Sequence, residues 1–256
     1  MLYVFLSHDV DWRRQGPSKE HIMARKERFD DSVIKNLDKQ NPYYNIPDIM
    51  EIEERFGVKS TFFFRTLYEN GDFTDYEDDI KSLMGGGWEI GLHSDPSSVD
   101  DIEKLRKEKT KLEELTKTKL RGNRVHYLKF NKNLPKMLKD LGFSYDSSIR
   151  NSKDKIDKSE MGFQNIDGLI EFPVTLMDAY LFTYMKLKES QVISTFKQTL
   201  EYARKNSSKA ITVIWHDNVL KMIGGRMYKD IVEFLASEKD VKVCRGIDLV
   251  PIVTKT

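Results

Sequence analysis

The chain opens with the stretch MLYVFLSHDVDW, residues 1–12, which joins an apolar segment directly to a group of ionisable side chains. Residues 2–7 are mostly apolar, and His8, Asp9 and Asp11 follow at once. A buried carboxylate without a partner costs several kcal/mol or takes up a proton. The stretch therefore predicts a buried strand whose end either reaches the surface or meets a positive charge.

Apolar segments of the same kind recur along the chain and alternate with amphipathic stretches that have helical spacing. Several are apolar on both faces, which is typical of parallel strands covered by helices. The segments span residues 2–7, 60–65, 88–94, 123–130, 143–148, 169–177, 210–217 and 241–244. Strand–helix alternation repeated about seven times predicts an α/β fold with a parallel sheet, either open or closed into a barrel.

One segment, residues 13–45, interrupts this alternation. It contains the charged run KEHIMARKERFDD and ends in NPYYNIP. We expect a long helical excursion after the first strand, which serves as a lid or an interaction arm. Because the chain shows neither an internal repeat nor a low-complexity linker, the sequence predicts a single domain over residues 1–256.

The composition excludes several classes of protein. Lys and Arg number 42 against 41 for Asp and Glu, and this near balance argues against general binding to nucleic acid. The single cysteine, Cys244, excludes an internal disulfide and a thiolate zinc cluster, and we expect it to be a buried bystander. No apolar run approaches the roughly 18 residues of a membrane helix. We expect a cytoplasmic protein without membrane insertion, and make no prediction of its oligomeric state.

Four of the five histidines fall at or near the end of a predicted strand. They are His8, His93, His126 and His216. The carboxyl ends of parallel strands meet at one face of an α/β fold, so these histidines are expected to converge there. The same face collects Asp9, Asp11, Asp95, Arg124, Asp146 and Asp217. We exclude His8 from the site, because successive strand side chains alternate and it points away from Asp9 and Asp11.

The carboxylates at this face need a cation, which is Arg124, a metal ion or both. Histidine and aspartate ligands suit Zn²⁺ and other first-row divalent ions. A metal with an open position lowers the pKa of its bound water to about 7 and polarises a carbonyl group. A spare carboxylate and a spare histidine supply a base and an acid. The pattern predicts hydrolysis of an amide or an ester.

These segments resemble the motifs of the polysaccharide deacetylases, carbohydrate esterase family 4, whose fold is a distorted (β/α)₇ barrel. The corresponding segments are LSHDVDW (6–12), GLHSDPS (91–97), RVHY (124–127), YDSS (145–148) and VIWHD (213–217). They occur in the family's order across residues 6–217, which is most of the chain. The resemblance implies the same barrel for this chain.

The resemblance also implies catalytic roles for particular residues. Asp9 would be the general base, and Arg124 would hold it in place. The backbone N–H of Tyr127 would help to stabilise the oxyanion, and His216 would protonate the leaving amine. Asp146, in the fourth motif, either orients a histidine or only fixes a turn.

The implied metal ligands include one departure from the family pattern. Asp11 and His93 match two ligands, but the second motif's other histidine position is Ser97. The third motif carries His126 where the family usually has proline, so His126 is one candidate for the third ligand. Asp95 is the competing candidate. Zinc is the expected metal, with cobalt or nickel as alternatives.

The implied reaction is metal-dependent removal of an acetyl group from an N-acetylated sugar or glycan precursor. A cytoplasmic location would favour a soluble or lipid-linked precursor, such as an activated sugar. One alternative is hydrolysis of a non-peptide C–N bond in a small cyclic amide or ureide. Another is a metal-free sugar-binding or scaffold protein, which Ser97 favours and the retained Asp9, Asp11, Arg124 and His216 oppose.

Overall fold

The computed structural model describes residues 1–69 and 71–255. In this part of the chain, mostly parallel strands curl into a distorted (β/α)₇-type barrel with helices around it, as predicted. The ten strands here are Leu2–Val10 (β1), Thr61–Phe64 (β2), Glu89–Ser94 (β3), Gly122–Val125 (β4), Tyr145–Asp146 (β5), Gln164–Ile166 (β6), Leu169–Glu171 (β7), Leu176–Met177 (β8), Ala210–Ile214 (β9) and Val241–Cys244 (β10).

The helices lie mainly outside the sheet. Their bounds are Lys19–Met23 (α1), Asp31–Lys35 (α2), Ile46–Arg55 (α3), Glu77–Gly85 (α4), Ile102–Thr116 (α5), Leu134–Asp140 (α6), Asp178–Thr183 (α7), Glu189–Lys205 (α8), Tyr228–Ser237 (α9) and Gly246–Thr254 (α10). None of the helices that the structure describes combines the length and hydropathy needed to span a bilayer.

The strand order places β1 between β2 and β9. The order is β6-β7-β5-β4-β3-β2-β1-β9-β8, and every neighbouring pair is parallel except the β6–β7 hairpin. β10 pairs with residues 2–5 of β1, whereas β2 pairs with residues 7–10. Both therefore use the same edge of β1, and the C-terminal end of β1 is left between β2 and β9.

The predicted strand at 169–177 is divided in the structure. β7 pairs with β5, while β8 pairs with β9, and Pro173 lies between the two strands. Proline has no N–H to donate to a sheet ladder, which explains the interruption. The short segment between β7 and β8 thus joins strands from the two ends of the strand order, and Met177 leads directly into α7.

Side chains of β1 alternate between the interior of the barrel and the layer beneath the helices. Phe5 packs edge-on against Phe172 and Tyr145 inside the barrel, with ring centroids 5.6 Å apart in both pairs. Val4 and Leu6 belong instead to the apolar core that includes residues of the surrounding helices. The period of two therefore places Asp9 on the interior side and His8 on the helix side.

His8 joins a fully buried polar network around Glu53 of α3. One Glu53 carboxylate oxygen lies 2.8 Å from His8 Nε2 and accepts a hydrogen bond from Tyr228 Oη at 2.5 Å. The other accepts hydrogen bonds from Ser60 Oγ at 2.9 Å and Trp88 Nε1 at 2.6 Å. The network ties β1 to α3 and α9 and places His8 on the opposite side of β1 from Asp9.

Replacing Glu53 with alanine is expected to lower the free energy of unfolding by about 3–5 kcal/mol, because four buried polar groups lose their shared partner. Urea unfolding of the wild type and the variant measures the difference. Glu54→Ala is the matched control, because Glu54 is exposed and makes a weak surface ion pair with Lys59 Nζ at 3.4 Å. Equal unfolding free energies for the two variants would show that the network contributes little to stability.

The excursion at residues 13–45 consists of short helical segments joined by loops. It contains the short helices α1 and α2, with a 3₁₀ turn at Lys26–Arg28 between them. Its apolar side chains Ile22, Phe29 and Tyr43 are buried together with Met222. Because Met222 lies in the loop after β9, this small cluster fixes the excursion beside the carboxyl ends of the strands. Its role as a lid or an interaction arm stays a prediction.

Candidate active site

Three potential metal ligands meet at the carboxyl ends of β1, β3 and β4. Asp11 lies just beyond β1, His93 is in β3, and His126 begins a 3₁₀ turn after β4. His93 Nε2 is 3.1 Å from Asp11 Oδ1, and His126 Nδ1 is 3.2 Å from that same oxygen. The two imidazole nitrogens are 3.1 Å apart. One oxygen and two nitrogens thus form a nearly equilateral triangle.

The donor set and its spacing fit a first-row divalent metal. His93 Nδ1 is 2.9 Å from the Arg124 carbonyl oxygen, which accepts its proton and leaves the Nε2 lone pair directed into the triangle. A divalent cation between the three atoms would take one lone pair from each of them. Tetrahedral zinc, with ligand bonds of about 2.0–2.1 Å, would place its ligand atoms about 3.3 Å apart. Asp11, His93 and His126 therefore suit zinc, cobalt or nickel.

Asp95, the competing ligand candidate, is engaged elsewhere. Its Oδ1 accepts a hydrogen bond from the backbone N–H of Ser97 at 2.9 Å and caps the 3₁₀ turn Pro96–Asp100. Its carboxylate is also 3.7 Å from both Arg65 and Lys104. The structure brings His126, and not Asp95, next to Asp11 and His93.

Asp9 lies beside this triangle in an ion pair with Arg124. Its Oδ1 accepts a hydrogen bond from Arg124 Nη1 at 2.6 Å, and its Oδ2 is 3.8 Å from His93 Nε2. Burial acts to raise the pKa of Asp9, but the charges of Arg124, His93 and His216 outweigh it and lower that pKa. Asp9 is therefore an ionised carboxylate with one oxygen free to face a ligand.

Arg124 is held rigidly inside the barrel. Its side chain is fully buried, and its guanidinium donates hydrogen bonds to Ser147 O and Ser147 Oγ, both at 3.0 Å. The guanidinium carbon also lies 4.4 Å from the centre of the Phe63 ring. These contacts fix the direction from which Arg124 approaches Asp9.

His216 approaches the triangle from the opposite side, after β9. Its Nε2 is 3.6 Å from Asp11 Oδ2, and its Nδ1 is 2.7 Å from Asp178 Oδ1. The other Asp178 oxygen accepts a hydrogen bond from the His216 backbone N–H at 2.6 Å. Burial acts to lower the pKa of His216, but Asp178, with contributions from Asp11 and Asp9, raises it to about 10. The imidazole is therefore protonated at neutral pH.

Asp178 belongs to this group of side chains but is absent from the residues that the sequence analysis selects. It is buried and begins α7 immediately after β8. The rule that collects the other residues, an ionisable side chain directly after a strand, also applies to it. Applied to the predicted strand at 169–177, that rule selects Asp178.

The remaining predicted carboxylates do not join the group around Asp11. Asp146 Oδ1 accepts hydrogen bonds from Asn123 Nδ2 at 2.8 Å and Ser148 Oγ at 2.9 Å, so Asp146 fixes the loop after β5. Ser148 Oγ in turn accepts the N–H of Val125. Asp217 is buried, and burial, with the nearby Asp11, raises its pKa well above the usual value.

Tyr127 lies at the rim of the site in an unusual backbone conformation. Its φ is 61° and its ψ is 14°, in the left-handed region, and Leu128 also has a positive φ of 52°. The turn leaves the Tyr127 side chain 82% exposed and places its ring 3.8 Å from the ring of His126, centre to centre. The sharp turn brings the backbone of Tyr127 next to the candidate ligand.

A cavity of about 450 Å³ opens beside the triangle. Its walls come from the end of β1, the excursion, the loop after β2 and the turn after β4. The lining residues include Asp11, Trp12, Arg13, His21, Arg65, Tyr68, His126 and Tyr127. A cavity of this volume is in the usual range for a small-molecule site.

Comparisons with known proteins identify the fold. No model of a known protein family matches the sequence, and no curated protein matches it either. Among solved structures, one from Mycobacterium smegmatis, which bears the name polysaccharide deacetylase, has a TM-score of 0.67 and 22% identity. That alignment covers 99% of this chain and 90% of the other. The PuuE allantoinase has a TM-score of 0.68 and 15% identity, with 100% and 91% covered.

A third solved structure is a pseudoenzyme of carbohydrate esterase family 4 from Bacillus anthracis. Its TM-score is 0.52 at 15% identity, and the alignment covers 97% of this chain and 65% of the other. At these identities the likeness shows the fold. The resemblance to polysaccharide deacetylases is thereby confirmed at the level of the fold, and that fold occurs in proteins with more than one activity.

Proposed function

We propose that this chain is a divergent polysaccharide deacetylase and a metal-dependent hydrolase of non-peptide C–N bonds. Its proposed reaction removes an acetyl group from an N-acetylated sugar or glycan precursor. The observation that carries the proposal is the convergence on Asp11 of a ligand triangle, a paired base and a paired acid. Asp11 Oδ1 is 3.1 Å from His93, and its Oδ2 is 3.6 Å from His216.

The base side of the mechanism depends on Asp9. A divalent metal held by Asp11, His93 and His126 would acidify water and polarise the acyl carbonyl. Asp9 Oδ2 accepts the proton of the attacking water, while Arg124 keeps Oδ1 occupied at 2.6 Å. The ion pair thus orients the carboxylate and holds it ionised before the reaction.

The acid side depends on His216. Asp178 Oδ1 accepts a hydrogen bond from His216 Nδ1–H at 2.7 Å. His216 Nε2 is therefore the atom that donates a proton to the departing amine. The backbone N–H of Tyr127 donates to the oxyanion, and such a donor is typically worth about 3 kcal/mol in the transition state. The raised pKa of His216 supports its role as an acid, because the imidazole carries the required proton at neutral pH.

Replacing Asp178 with asparagine is expected to move the alkaline limb of the kcat profile about 1–3 pH units lower. Asp178 raises the pKa of His216, and without its charge His216 loses its proton at lower pH. A pH–rate profile of both proteins measures the change. Asp140→Asn, at an exposed position on α6, is the control. An unchanged alkaline limb would show that His216 is not the acid.

The cavity supports a small substrate. Its volume of about 450 Å³, together with the wall formed by the excursion, suits a single acylated sugar unit better than a long polymer lying in an open groove. Because an allantoinase has a similar fold, hydrolysis of a small cyclic ureide is the second candidate reaction. Because a pseudoenzyme also has a similar fold, a non-catalytic binding protein is the other alternative. Such a protein does not need the ion pairs Asp9–Arg124 and His216–Asp178.

The test is a hydrolysis screen of zinc-loaded protein with N-acetylated monosaccharides, chitin oligomers and allantoin. Acetate release from an N-acetylated sugar, lost with EDTA and restored by zinc, cobalt or nickel, is the expected result. Turnover of allantoin alone would favour the ureide hydrolase. Absence of turnover on all three classes, with metal bound, would contradict the proposed hydrolase.

A further inference from the structure

We infer that the cavity beside the ligand triangle contains a subsite for an oxyanion, a phosphate or carboxylate group on the substrate, with Arg65 as its main binding residue. This inference rests on the proposed function, because it specifies the substrate class of that site. The expected substrate is an N-acylated sugar that carries a negative charge.

Arg65 has a buried donor without an acceptor. It lies directly after β2, and only 15% of its side chain is exposed. Its Nε atom is buried and has no hydrogen-bond partner among the described residues. A buried guanidinium N–H that is left unpaired is costly, and such a group needs an explanation such as a missing ligand. Arg65 also lines the cavity, together with the candidate ligand His126.

The charge of Arg65 is only weakly compensated. The Asp95 carboxylate is 3.7 Å from Arg65 Nη2, which is beyond hydrogen-bond distance. Asp95 is also 3.7 Å from Lys104 Nζ, so its charge is shared between two cations. Positive charge therefore remains near the cavity.

The excursion places a second guanidinium on the cavity wall. Arg13 lines the cavity and donates a hydrogen bond from Nε to Gly16 O at 3.0 Å. Apart from Asp11, the acidic side chain on the cavity wall is Glu69, which is exposed. The guanidinium groups of Arg65 and Arg13 thus lie on the same cavity wall. Guanidinium groups bind phosphate and carboxylate oxygens in a bidentate manner, which makes an oxyanion the matching ligand.

Binding by isothermal titration calorimetry tests the subsite without any need for turnover. The probes are N-acetylglucosamine 6-phosphate, N-acetylmuramic acid and neutral N-acetylglucosamine. We expect at least one charged sugar to bind the wild type about tenfold more tightly than the neutral sugar, through a charge-assisted bidentate pair. The phosphate and carboxylate probes distinguish the two sources of the oxyanion.

The variants separate a binding role from a structural one. Arg65→Gln is expected to remove the preference for the charged sugar, so that the affinity for the charged sugar falls about tenfold more than that for neutral N-acetylglucosamine. Arg55→Gln, at an exposed position of α3, is the matched control and should keep the preference. Equal affinities for charged and neutral sugars in the wild type, or a preference that survives in Arg65→Gln, would overturn the inference.

The outcome of this experiment is distinct from that of the proposed reaction. If no N-acetyl compound is hydrolysed but a charged sugar binds through Arg65, the subsite stands and the proposed reaction fails. If N-acetylated sugars are hydrolysed with no preference for charge in binding, the reaction stands and the subsite is wrong.

Discussion

Replacing Asp9 with asparagine is expected to lower kcat by about 10²–10⁴-fold, the usual contribution of a positioned general base. Asparagine has nearly the shape of aspartate, but its amide does not accept the proton of the attacking water. Steady-state hydrolysis of an N-acetylated sugar by zinc-loaded protein measures the effect. The loss should appear in kcat rather than in KM, because the proposed role of Asp9 belongs to the transition state.

The Asp9→Asn variant is expected to remain folded, which keeps the result interpretable. Arg124 retains its two hydrogen bonds to Ser147 and its contact with Phe63 when the carboxylate is neutralised. Circular dichroism and metal content check this expectation, and Asp140→Asn at an exposed site is the control. A folded, metal-loaded Asp9→Asn protein with more than about a tenth of the wild-type kcat would contradict the assignment of Asp9 as the base.

Replacing His126 with alanine is expected to weaken zinc binding by more than the 10–100-fold that follows loss of an outer-sphere partner. The variant removes one of the three atoms that lie within 3.2 Å of one another. Elemental analysis and competition with a chelating dye measure stoichiometry and affinity. Activity should fall with the metal.

Two further variants make the His126 result specific. His21→Ala is the control, because His21 lines the same cavity but is not part of the triangle. Asp95→Ala tests the competing ligand, and it should bind zinc like the wild type. If Asp95→Ala loses zinc while His126→Ala keeps it, Asp95 is the third ligand and the proposed exchange of histidine positions is wrong.

The placement of residues along β1 follows from the sequence alone. Alternation of side chains in a strand separates His8 from Asp9, and the structure places them on opposite sides, with His8 bound to Glu53 and Asp9 to Arg124. The convergence of strand ends is a general property of parallel sheets, so the sequence also places His93 and His216 near Asp11. Predicting these parts of the site requires only the alternation of side chains along a strand and the class of the fold.

The third ligand depends on loop conformation, which the sequence does not reveal. Both His126 and Asp95 follow a strand. The position of His126 depends on a turn with positive φ at Tyr127 and Leu128, which are residue types that rarely adopt positive φ. Propensity rules assign such turns to glycine or asparagine. The position of Asp95 depends on its hydrogen bond with the backbone N–H of Ser97.

Asp178 and the details of the excursion are not apparent from the sequence, for different reasons. Asp178 directly follows the predicted strand 169–177, but its pairing with His216 depends on how the loop after β9 approaches α7. Residues 13–45 are predicted as a helical excursion, and their helices α1 and α2 are only five residues each. They are fixed by a few apolar contacts with Met222, a residue distant in sequence.

The central claim is that Asp11, His93 and His126 together hold the metal that the hydrolysis needs. Diffraction from crystals grown with zinc, collected at the zinc absorption edge, tests it directly. We expect one anomalous peak about 2.0–2.2 Å from Asp11 Oδ1, His93 Nε2 and His126 Nδ1. A peak at another position, or a His126 nitrogen farther than about 2.5 Å from the zinc, would contradict it.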